Sequence, residues 1–135
     1  MRLHTIVRIL GLLMAAASAW WVTLYVGVIL DSSPTQIRWP RYLNGGVLIG
    51  LHAAGVVAGI GLLTLQKWSR SVAVAYLGGL LVHGAFWWIR RPRFDFSVLD
   101  LTLLALILLA LAWFLYGANG AKAFQRPEFN FEPQH

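Results

Sequence analysis

Four long apolar runs, separated by short polar segments, set the pattern of this chain. Residues 9–30 carry no charge over 22 positions, and at 1.5 Å per helical residue they exceed the ~30 Å hydrocarbon layer of a bilayer. The run ends at Asp31-Ser32-Ser33-Pro34, where proline and small polar residues stop a helix. Three more runs predict helices over 43–65, 71–89 and 99–116. Ser97 and Asp100 have the spacing of a capping box at the start of the fourth. The expected fold is therefore an all-α integral membrane protein, an antiparallel bundle of four transmembrane helices over residues 1–117. A polar, extended tail is expected over 118–135. Ala17-Ser18-Ala19 is similar to a signal cleavage site, but the apolar run continues well past it, so an uncleaved first helix is expected.

The polar breaks add detail. Gln66-Lys67-Trp68-Ser69-Arg70 is short enough to force the second and third helices into a hairpin. The run GLLTLQKWSR resembles the turn of small four-helix bacterial membrane proteins; the likeness spans ten residues and implies no activity. Within the second helix, Gly46/Gly50 and Gly55/Gly59 are small-xxx-small pairs, the spacing that lets helix backbones approach closely in lipid. The fourth helix is leucine-rich without such a face and is expected to be the most lipid-exposed.

Composition sharpens the class. Only 12% of the 135 residues are charged, about half the share of a soluble domain. The absence of cysteine rules out disulfides, thiolate metal sites and iron–sulfur clusters. The net charge of +6 comes from Lys and Arg at the edges of apolar runs, which suits lipid anchors rather than nucleic acid. With the N-terminus inside, the cations divide six to five across the bilayer, a near balance that dual-topology dimers also show. Both termini are expected in the cytoplasm because the first helix follows Arg2 and Arg8.

The sharpest chemical signal is a pair of membrane histidines. By helical rise His52 lies about 12 Å in from the Arg41 side and His83 about 9 Å in from Arg90, so both imidazoles are expected at one level on adjacent helices. Facing rings of that kind are axial ligands for a b-type haem, which makes His52 and His83 the haem-binding candidates. Gly45, Gly55, Gly59 and Gly79 would leave room for a macrocycle, with Tyr76 and Trp87 on the face of His83. The competing reading makes each histidine a structural hydrogen-bond donor to a neighbouring helix. No Met, Cys or carboxylate shares their depth, which argues against copper or zinc.

Other chemistry finds little footing. No acidic residue lies in mid-membrane, where a cation-coupled transporter places one. No G-x-S-x-G, HExxH or phosphate-binding glycine loop occurs. Trp20 and Trp21 fall in mid-helix and are expected to pack on glycine-rich helices or meet a partner. Arg90, Arg91 and Arg93 are expected to anchor to lipid phosphate. These features lead to a non-catalytic accessory subunit of a larger membrane complex in the bacterial inner membrane. Its expected partners are lipids and other membrane subunits or further copies of itself, and no cofactor is expected. A haem-binding electron-transfer subunit is the alternative, and a small dual-topology transporter the third reading.

Overall fold

The computed structural model describes residues 3–31, 39–90 and 98–124, and among them all regular structure is helical. Helix α1 spans Leu3–Asp31, α2 Trp39–Leu63, α3 Ser69–Arg90, α4 Val98–Tyr116 and α5 Ala118–Lys122. The first four are long and apolar enough to cross a membrane. Helix α1 starts six residues before the expected run because its first turns are already two-faced: Val7 is buried while His4 and Arg8 are exposed. Helix α2 begins at Trp39, and Pro40 in its first turn costs nothing because the N–H it lacks would have no helical partner.

Each long helix packs on its neighbour in the chain, and α5 packs on α4 and α1. Contacts pair Gly11 with Gly59, Ser18 with Gly55 and Ile29 with Gly45, so residue numbers rise along α1 as they fall along α2. The same opposed order holds between α2 and α3, where Gly61 meets Ser69 and His52 meets Tyr76. The α1–α2 crossing is close because both sides lack a side chain. A Cβ on Gly11 would lie 2.6 Å from the Gly59 carbonyl oxygen, and one on Gly59 would lie 2.6 Å from the Ala15 nitrogen. Of the two small pairs on α2, then, Gly55/Gly59 receives α1. Among the described residues nothing lies within 4 Å of a Cβ on Gly46 or Gly50.

The α2–α3 turn is made by Leu65, which adopts a left-handed φ of 56°. The Gln66 N–H donates to the Gly61 carbonyl at 2.8 Å and the Leu65 N–H to that of Leu62 at 3.1 Å, the crossed pair of a Schellman motif. Leucine carries a steric penalty there, which its packing against the core offsets. Gly61 leaves space for Trp68 and Ser69 to fold back across the turn.

The buried apolar core lies at this end of the molecule and joins Val7, Ala58, Leu62, Ala73, Leu115 and Phe124. Phe124 corrects the expectation of a tail beginning at residue 118. Residues 118–122 form α5, and Ala123 and Phe124 behind it are buried. Gly120 sits against the Phe114 carbonyl with no room for a side chain, which lets the chain turn back. The Ala123 carbonyl then receives a hydrogen bond from His4 Nδ1 at 3.0 Å. Tail residues 125–135 and the cap at Ser97 lie outside the described residues.

Outward faces are strongly apolar. Trp113 is 84% exposed, Leu30 78% and Leu109 65%. In water such continuous apolar cover would be a severe liability.

Candidate functional site

Ser18, Trp21 and Tyr25 follow one another at helical spacing down the face of α1 that meets α2 and α3. They converge with His52 of α2 and Tyr76 of α3. Ser18 is 1% exposed, His52 5% and Tyr76 7%. The Ser18 hydroxyl donates to the Tyr76 oxygen at 3.1 Å, and Tyr76 lies 2.9 Å from His52 Nδ1. The Tyr76 hydroxyl thus accepts from Ser18 and shares one hydrogen with His52 Nδ1. Each group satisfies the next, as buried polar atoms must.

The rings of Trp21, Tyr25 and His52 form a triangle with centroids 5.8, 6.0 and 5.9 Å apart and interplanar angles of 17° to 28°. Near-parallel rings at these spacings are offset stacks. Tyr76 meets His52 edge-on, at 5.7 Å and 64°. Gly55 makes the meeting point: a Cβ there would lie 2.7 Å from the Tyr76 ring. The cluster joins three helices through a relay of neutral donors and acceptors.

His83 stands apart. It is half-buried, faces Trp87 edge-on at 6.4 Å, and lines an open groove of about 440 Å³ with Val47 and Leu51 of α2. Trp87 donates its Nε1–H to the Asn44 side chain at 2.8 Å. These contacts correct the expectation that both imidazoles share a level. His52 is level with Tyr76, and His83 lies seven residues further along α3, about 10 Å by helical rise. Counting depth from flanking arginines missed this because the tight turn at Leu65, not the arginines, fixes the α2–α3 register. The structure thus joins His52 to aromatic rings of α1 and α3 and does not bring it face to face with His83.

The other expected residues divide as follows. Trp21 packs on His52, whereas Trp20 points outward and is 65% exposed. Arg90 places its guanidinium 4.8 Å over the Phe86 ring. Arg91 and Arg93 lie outside the described residues. Among the described residues no group of three metal-ligating side chains converges.

Sequence reasoning missed Ser18 as the partner of Tyr76 and Tyr25 as a neighbour of His52, although their spacing with Trp21 was a usable signal. It also passed over Arg70, which reaches the Leu115 carbonyl at 3.4 Å and lies 5.2 Å from the Tyr116 ring and 5.1 Å from that of Phe124.

Comparison with protein-family models, curated proteins and solved structures finds no match for this chain. The class that the coordinates define is an all-helical protein with four helices long and apolar enough to span a membrane.

Proposed function

We propose that this chain is a multi-pass integral membrane protein of the bacterial inner membrane, an antiparallel four-helix bundle serving as a non-catalytic accessory subunit of a larger assembly. Membrane embedding is supported by the exposed apolar side chains on all four long helices. In lipid these need no cover, whereas in water they would drive aggregation.

The observation that carries the accessory role is the outward face of α2. Gly46 and Gly50 lie one turn apart with open space beyond them. Small residues at this spacing normally seat a neighbouring backbone, and the described residues of this chain leave them uncovered. The polar cluster supports the same reading, since Ser18, Tyr76 and His52 satisfy one another within the bundle.

The test is extraction of a terminally tagged chain in mild detergent, followed by native sizing and identification of what co-purifies. A particle larger than the 15.0 kDa chain, containing other membrane proteins or further copies, is expected. A monomer under every mild condition would contradict the role.

A further inference from the structure

We propose that the groove between α2 and α3 holds one anionic phospholipid. Its phosphate sits at Arg90, an ester carbonyl at His83, and an acyl chain over Gly78. This rests on the membrane-embedded reading above. A second open groove of about 390 Å³, beside Ala54, Val72, Ala75 and Tyr76, shares Leu51 with the one by His83. From Phe86 to Val72 the path covers 14 residues of α3, about 21 Å by helical rise. That exceeds the ~15 Å that one leaflet's chains span in a ~30 Å hydrocarbon layer.

Polarity along the groove follows the order of a phospholipid. Arg90 is exposed at the end of α3, and its guanidinium is held over Phe86, which lines the mouth. His83 lies seven residues deeper, about 10 Å, where the ester carbonyls follow the phosphate. Its imidazole makes no hydrogen bond to another described residue, and a carbonyl acceptor would satisfy its ring N–H. Below it Val82, Leu51 and Val47 make the wall apolar, and Gly78 leaves space, with no described residue within 4 Å of a Cβ.

The floor separates a lipid from a partner helix. Leu51 fills the step at Gly79, with a methyl carbon 2.6 Å from where a Cβ would stand. A helix backbone cannot descend there, but a single flexible chain can pass over Leu51 from one groove to the other. A neutral ring compound would leave Arg90 without a counter-charge.

The experiment is native mass spectrometry of the detergent-purified full-length chain with added phosphatidylglycerol or phosphatidylcholine. The wild type is expected to keep one phosphatidylglycerol in preference to phosphatidylcholine. Gly78→Leu points a side chain into open space, so the fold tolerates it, and it should cut the lipid-bound fraction roughly tenfold. His83→Phe should lower it roughly three- to tenfold, as for one lost hydrogen bond, with His83→Gln restoring it. Arg90→Gln should abolish the preference between headgroups. Leu109→Ala, on the exposed face of α4 away from the groove, should change nothing.

Equal lipid retention by Gly78→Leu and wild type would overturn the proposal. So would release of a second copy or another protein by that variant with the lipid count unchanged. If the chain is recovered from cells without detergent, the membrane reading itself falls. If it needs detergent and Gly78→Leu keeps its lipid, only the groove assignment falls.

Discussion

The phenol of Tyr76 is the residue on which three helices agree. It accepts from Ser18 on α1 and is hydrogen-bonded to His52 on α2 while standing on α3 itself. Removing it strands two buried polar groups at once. Tyr76→Phe is therefore expected to destabilise the protein by about 1–3 kcal/mol, read as a lowered melting temperature in detergent. Ser18→Ala leaves the Tyr76–His52 bond intact and should cost only about 0.6–1 kcal/mol. The double variant should cost less than the two single effects added, because the relay is shared; strict additivity would show that the three groups act independently. The histidine that anchors this cluster could be picked out in the sequence as a lone imidazole in an apolar run. Its partners could not, because a serine and a tyrosine on other helices gain meaning only once the register is known.

At the scale of elements, small residues decide where helices meet. The Gly55/Gly59 pair and the Gly46/Gly50 pair look alike in sequence, yet only the first receives α1, since Gly11, Ala15 and Ser18 oppose it. Gly59→Leu should break this crossing, with a loss of about 1–3 kcal/mol or more from overpacking, whereas Gly46→Leu should leave the crossing intact. The four apolar runs were legible from length and composition alone, with end shifts of at most six residues. Helix α5 was not, because a five-residue helix has too short a pattern to stand out among polar neighbours. Its anchor is Arg70, whose guanidinium lies near the Tyr116 and Phe124 rings and reaches the Leu115 carbonyl at the end of α4. Arg70→Ala should loosen residues 118–124 selectively. Hydrogen exchange there should rise while α2 and α3 keep their protection; unchanged exchange would show that the core alone holds α5.

For the molecule as a whole, the two histidines separate into different environments. His52 is closed in by Ser18's relay and aromatic rings, and His83 opens onto a groove. The purified protein is accordingly expected to show no b-type bands in a reduced-minus-oxidised spectrum. Bands abolished by His52→Ala and His83→Ala would reverse that view. More basic still is the fourfold crossing, on which the bundle, the lipid groove and the accessory role all depend. The chain has no cysteine, so single cysteines placed at Asp31, Lys67, Val98 and Lys122 can be labelled with an impermeant thiol reagent in oriented membrane vesicles. Positions 67 and 122 should react from the cytoplasmic face only, and positions 31 and 98 from the opposite face only. Labelling of all four from one face, or of every site equally from both, would contradict a single-orientation, four-pass protein.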